Sequence, residues 1–131
     1  MESIQAFPTA EAHTFLGWTY SFAESYDEAI AQCRLAISVD PDFGNPYKDI
    51  GAYLIAQGKL SEAIPWLEQA TEAARYEPRH FPWANLGRVY EILEDSDRAL
   101  EHYAKALEIE PAYRVALDGL DRLMGPRDRL N

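Results

Sequence analysis

The chain has 131 residues, with 12 basic against 22 acidic side chains and a formal charge of −10. That length suits one compact domain, and that charge argues against a nucleic-acid surface, which needs a net basic footprint. No apolar run approaches the roughly 18 residues that span a bilayer, and no charged segment followed by an apolar one marks a secretory leader, so a cytoplasmic location with no membrane contact is expected.

Residues 1–9 form a leader with little periodicity, in which Ile4 and Phe7 are available to pack on the first hairpin. Thr9 is a fitting N-cap for a first helix, Ala10–Ala23. After Ser25 and Tyr26 a second helix is expected from about Asp27 to Val39, with Glu28, Ala29, Ile30, Cys33, Ala36 and Ile37 on its inward stripe. Asp40-Pro41-Asp42 ends it.

A third helix opens at Asn45-Pro46, where proline is tolerated in a first turn, and stops at Gln57-Gly58, where glycine suits a left-handed residue. The fourth begins near Ser61. Pro65 is read as part of its first turn, where the missing N–H is harmless, and the helix is expected to reach Tyr76 or Glu77 before Pro78. A fifth helix runs from about Trp83 to Leu93, and a sixth from about Ala99 to Ile109, where Pro111 stops it. Glu94-Asp95-Ser96-Asp97 is the solvated turn between them. Ala112–Met124 is a last amphipathic helix, with Val115, Ala116, Leu117, Leu120, Leu123 and Met124 apolar, closed by Gly125-Pro126 before a polar tail, 126–131.

One pattern recurs. Trp83, Leu86, Gly87, Tyr90, Ala99, Tyr103, Ala106 and Pro111 have counterparts 70 residues earlier in His13, Leu16, Gly17, Tyr20, Ala29, Cys33, Ala36 and Pro41. A middle copy comprises Tyr47, Ile50, Gly51, Leu54, Ala63, Leu67 and Ala70. The glycines are 34 and 36 residues apart (Gly17 to Gly51, Gly51 to Gly87). Apolar residues three and four apart mark helix faces, links this short make antiparallel hairpins, and glycine and alanine at the crossings let the axes approach closely.

This pattern resembles the tetratricopeptide repeat, a helical hairpin of about 34 residues carrying a Trp, a Leu-Gly pair, a Tyr, an Ala, an aromatic, an Ala and a closing Pro. The resemblance implies an all-α, right-handed solenoid: repeats at 10–43, 44–79 (two residues longer) and 80–113, and a capping helix at 114–125. It should be nearly free of strand, with a local change of superhelical twist where the middle repeat is longer.

The residues offer no catalytic constellation. His13, His80 and His102 sit in different repeats at no ligand spacing: His13 in the family's Trp place, His80 in a linker, and His102 expected to face outward. No metal motif and no second cysteine occur, and Cys33 reads as a small buried hydrophobe. No enzyme activity, cofactor or metal is expected.

The resemblance places function on the concave face, lined by the first helix of each hairpin. Carried over by position, the groove residues are Thr14 and Trp18, then Asn45 and Lys48, then Phe81, Asn85 and Arg88, with Arg122 from the cap. Trp18 has no packing duty in the repeat and should be partly exposed, as binding hot spots often are. Lys48, Asn85, Arg88 and Arg122 offer donors that suit a carboxylate or acidic peptide, unless they pair with Asp49, Glu91 and Asp118.

One subfamily grips the C-terminal carboxylate of heat-shock chaperone tails with a Lys/Asn/Asn/Lys/Arg clamp. Aligned from the first repeat, Thr14, Trp18 and Asp49 break it. Aligned from the second, Lys48 and Asn85 match while Ala52, Val115 and Gly119 do not. That ligand does not carry over. The expected function is a non-catalytic adaptor that binds a peptide or partner helix in its groove. The alternative is a homodimer through the first hairpin, since solenoid ends are adhesive when uncapped.

Overall fold

Seven α-helices succeed one another in the computed structural model, which describes residues 9–76 and 78–125. They are α1 (Ala10–Phe22), α2 (Tyr26–Val39), α3 (Asn45–Ala56), α4 (Leu60–Glu72), α5 (His80–Ile92), α6 (Ser96–Ile109) and α7 (Arg114–Met124). The expectations for Ile4, Phe7, Glu77 and the tail 126–131 lie outside the described residues. Thr9 caps α1 as expected, its hydroxyl oxygen accepting from the Ala12 N–H at 3.0 Å. Asp95 caps α6 in the same way, accepting from the Arg98 N–H at 3.2 Å.

Each hairpin turns on one left-handed residue: Glu24 (φ 59°), Gly58 (φ 79°) and Glu94 (φ 65°). These positions are spaced like the glycines of the repeat. Beyond each turn the two helices pack along their small residues. A Cβ on Gly17 would stand 2.9 Å from the Ala29 carbonyl oxygen, one on Gly51 2.5 Å from Leu67, and one on Gly87 2.7 Å from the Tyr103 ring. Ala29, Ala63 and Ala99, with Ala36, Ala70 and Ala106 two turns on, are fully buried. The core is therefore a row of crossings, each filled by one larger side chain from the second helix: Cys33, Leu67 or Tyr103. Burial also pushes the Cys33 thiol up to about 12, so it is an inert filler.

Glu28, expected on the inward stripe of α2, is exposed, and four further expectations need correction. First, α4 ends at Glu72, not at Tyr76 or Glu77. Residues beyond it turn extended because their backbone has a better partner. The Arg75 N–H donates to the Asp42 carbonyl (2.9 Å) and the Gly44 N–H to the Arg75 carbonyl (3.0 Å), which makes a small parallel bridge between Phe43 and Arg75. Tyr76 is thereby buried against Gly44, and Arg79 donates to the freed carbonyls of Thr71 (3.2 Å) and Ala73 (2.7 Å). Second, Pro65 lies beyond the first turn of α4. Its missing N–H costs little because Pro65 and Ser61, whose carbonyl loses that donor, are both exposed to water.

Third, Leu16 and Tyr20, read as packing residues, are 41 % and 36 % exposed. Their equivalents Ile50, Leu54 and Leu86 are buried because a preceding hairpin covers them. No described element stands in front of α1. Fourth, His80 is not in a linker. It is the first residue of α5, with its ring against Phe81 and Tyr113.

Replacing Gly87 with leucine drives a side chain into the Tyr103 ring. Overpacking of this kind costs about 1–3 kcal/mol. Gly87→Leu is therefore expected to lower the unfolding free energy by that amount in a denaturant titration, and a variant as stable as the parent would mean that α5 and α6 do not cross there.

Candidate functional site

The first helices of the hairpins touch in sequence, α1 with α3, α3 with α5 and α5 with α7. Among the described residues, α2, α4 and α6 make no such contacts with one another. A stack whose first helices crowd together while its second helices splay is curved, with the first helices on the inside. The candidate groove residues thus all stand on helices of the inner row.

They fall into three groups. At the first end, Trp18 is exposed, tilted against Phe15 (centroids 5.7 Å apart) and edge-on to Phe22 (4.5 Å). Thr14 is half-buried, and its hydroxyl donates to the Ala10 carbonyl at 2.8 Å, so it has spent its donor on the helix.

In the middle, Lys48 pairs with Asp49 at 2.8 Å, and its ammonium stands 5.8 Å from the centre of the Phe81 ring. Phe81 is itself held by His80 (4.4 Å) and Tyr113 (5.7 Å). Asn45 is set apart from these. It lines a cavity of about 370 Å³ with Phe43, Tyr76, Arg75 and Arg79, on the side of the inter-repeat loops. Arg75 there already pairs with Asp40 and, at 3.5 Å, with Glu11.

At the far end, the Arg122 guanidinium donates to both Glu91 carboxylate oxygens (2.8 and 3.0 Å). The Tyr103 hydroxyl donates to the same carboxylate at 2.8 Å. This holds the Glu91 carboxyl below the usual carboxylate range, chiefly through Arg122 and then through Tyr103, with burial opposing. Arg88 is exposed and makes no ion pair through its side chain among the described residues; it acts on Glu91 only through space. Asn85 is half-buried, and its amide also has no side-chain partner among them. Two of the three basic side chains are thus committed to internal carboxylates, and Arg88 is not.

His102, expected to face outward, is half-buried between Trp83 (5.7 Å) and Tyr90 (5.0 Å). Its Nδ1 must carry the hydrogen, because it donates to the Arg98 carbonyl at 2.7 Å. It borders an outer cleft of about 610 Å³ between the second and third hairpins, whose Glu68, Glu72 and Glu101 make it unsuited to an anion. The repeat pattern does not single out the aromatic companions of Trp18. Phe15, Trp18 and Phe22 are three and four residues apart, a helical period like that of the core stripe but on another side of α1. Reading both sides of the helix at once would have found them.

Family models described as "Tetratricopeptide repeat" match residues 10–43 and 45–112. The human protein "Tetratricopeptide repeat protein 29" is 31% identical over 121 residues, which cover 88% of this chain and 24% of that protein. The Drosophila melanogaster protein "Protein O-mannosyl-transferase Tmtc1" is 31% identical over 119 residues, 85% of this chain and 13% of its own length. The chain therefore spans a quarter or less of these relatives. Among solved structures, "First TPR of Spaghetti (RPAP3) bound to HSP90 peptide SRMEEVD" superposes with a TM-score of 0.81 at 20% identity, over 93% of both chains. The "Arabidopsis OM64 TPR domain" does so with a TM-score of 0.82 at 17% identity, over 92% of this chain and 96% of that one.

A depressed carboxyl stabilises the fold fully above its unfolded value, and that contribution is lost as pH falls through the depressed one. Arg122→Gln is therefore expected to lower the melting temperature at neutral pH. The deficit should shrink once pH falls below about 4. A deficit that stays constant from neutral to acid pH would remove Glu91 as the partner of Arg122.

Proposed function

This chain belongs to the tetratricopeptide repeat family of protein-interaction modules, and from that premise we propose that it is a non-catalytic adaptor holding a peptide or partner helix in its inner groove. One observation carries the reading. The inner row presents an exposed aromatic, Trp18, and a cation with no internal partner among the described residues, Arg88, on the first and third hairpins of the same groove. A bound segment with an apolar anchor at one end and an acidic group toward the other matches both.

Within this reading Trp18 and Phe81 are the apolar contacts, and Arg88 and Asn85 receive the polar ones. Lys48 and Arg122 set the field but are already neutralised by Asp49 and Glu91. Thr14 and Asn45 line the edges. The repeats at 10–43, 44–79 and 80–113, with 114–125 as cap, belong to the same proposal, as does a cytoplasmic location. Among the described residues no helix is long and apolar enough to cross a membrane. Transferase activity belongs to the relative that carries the name, of which this chain matches 13%, and no reacting constellation among the described residues supports it. The chaperone peptide likewise belongs to the solved neighbour, whose likeness at 20% identity shows the fold alone.

A second reading, self-association through the first hairpin, is favoured by the exposure of Leu16 and Tyr20 on α1, whose equivalents in the other hairpins are buried or, at Tyr90, half-buried.

Affinity capture from a lysate of the source cells tests the first reading. Partners held by the wild type should be lost from a Trp18→Ala/Arg88→Glu variant, and Arg88→Glu alone should change the melting temperature little, because Arg88 is exposed and among the described residues it acts on the fold only through space, at Glu91. Identical captures from both proteins would sink the groove reading.

A further inference from the structure

We propose that the outer cleft between the second and third hairpins docks a basic segment of a partner protein, with a Lys or Arg side chain of that segment entering between α4 and α6. The site lies away from the groove, so it stands or falls apart from the adaptor reading of the inner row.

The cleft follows from the curvature of the stack. Among the described residues α4 and α6 do not touch, and the space where they part holds about 610 Å³, a volume typical of binding clefts. Glu68 and Glu72 line it from α4, and Glu101 and His102 line it from α6. Trp83, half-buried, lines it from the start of α5. Carboxylates from two helices thus share one space with an indole.

The full charges around this cleft are all of one sign, since no Lys or Arg lines it. Glu68, Glu72 and Glu101 are exposed and make no ion pair among the described residues. The nearby cations are engaged elsewhere, Arg98 with Asp95 at 2.7 Å and Lys105 with Glu108 at 3.7 Å. Uncharged groups point the same way. His102 uses its Nδ1 hydrogen on the Arg98 carbonyl, so in the neutral ring Nε2 is left as an acceptor, with no partner among the described residues. An indole face attracts a cation, and the Trp83 ring already has one beside it, the Lys105 ammonium 5.7 Å from its centre.

A Lys or Arg side chain matches this lining part by part. Its apolar stem covers the indole while its head stays among the carboxylates, and its N–H groups meet acceptors. Spacing favours a protein segment as the bearer of that side chain. Glu68 and Glu72 stand four residues apart, about 6 Å along α4. Alternate residues of an extended chain are roughly 6.6 Å apart and point the same way, so two basic residues separated by one other can each meet a carboxylate of α4. The formal charge of −10 draws a basic partner toward the chain and repels an acidic one. Glu101, on the opposite wall, then closes on the side chain that enters deepest.

The experiment is an NMR titration of the full chain with the blocked peptide acetyl-Lys-Ser-Lys-amide. It compares the wild type with Glu68→Gln/Glu101→Gln and with Glu28→Gln/Glu62→Gln, which removes the same charge from outside the cleft. All four residues are exposed, so neither variant opens the core, and circular dichroism checks that each stays helical. The wild type should bind, with its largest shifts at the Trp83 indole N–H and the His102 amide, and added salt should weaken the binding. The cleft variant should raise the dissociation constant by roughly fivefold to tenfold, two exposed ion pairs being lost, and the control variant should change it far less. Absence of binding overturns the site. Equal weakening in both variants overturns it too, because only the general attraction of an acidic chain is then left. Spermidine that binds as tightly as the peptide overturns the protein segment in favour of a small cation. The groove reading is judged separately, by the capture with Arg88→Glu.

Discussion

The ring of Tyr103 is clamped between two glycines. A Cβ on Gly87 would stand 2.7 Å from it, and one on Gly119 2.5 Å. The first glycine belongs to α5 and the second to α7, so this one side chain fixes both the third hairpin and the helix that closes it. The ring is fully buried, and its hydroxyl emerges at the edge of the core to donate to Glu91, which Arg122 holds from α7. Burial and the neighbouring carboxylate both raise the Tyr103 hydroxyl, so it keeps its proton as a donor. Packing and groove electrostatics therefore meet in one residue. Loosening the crossing would also move the carboxylate that neutralises Arg122.

The other two crossings are built alike but lack this polar handle. Cys33 faces Gly17 and Leu67 faces Gly51 at the equivalent places, and neither carries a hydroxyl to extend into the groove. The inner row is uneven although the repeats are alike. Its first end is aromatic, its middle holds a cation over an aromatic ring with Asp49 beside it, and its far end holds a bonded network next to the uncommitted Arg88. The repeat supplies one scaffold, and of the three crossing side chains only Tyr103 joins the polar groups of the inner row, through Glu91.

Much of this could be read from the chain alone, for a physical reason. The period of the small residues is imposed by close helix approach, which tolerates no larger side chain, so Gly17, Gly51 and Gly87 register in the sequence as plainly as in space. The same holds for Thr9 and Gly58, whose roles are local. Features that were not legible depend on partners distant in sequence. Nothing local to residues 73–76 shows that Asp42 and Gly44 will supply better hydrogen bonds than another helical turn. Nothing local to His102 shows that Trp83 and Tyr90 will enclose it. Arg122 could be assigned to the inner row by position, but its distance to Glu91 is a property of two repeats docked together. The aromatic side of α1 was legible in principle, because its spacing is as regular as that of the core, yet a repeat pattern directs attention to the residues that recur.

The acidic body then constrains what each surface can do. Carboxylates on α2, α4 and α6 outnumber Arg34, Arg98 and Lys105 and keep the outer face solvated and net acidic. Attraction between copies, or between the chain and an acidic partner, must come from places where that charge is absent or cancelled. Among the described residues the inner row offers the aromatic side of α1, and the stretch near Arg88 where Asp49 and Glu91 are already paired. An apolar contact there depends weakly on salt, whereas attraction to Arg88 is screened as ionic strength rises.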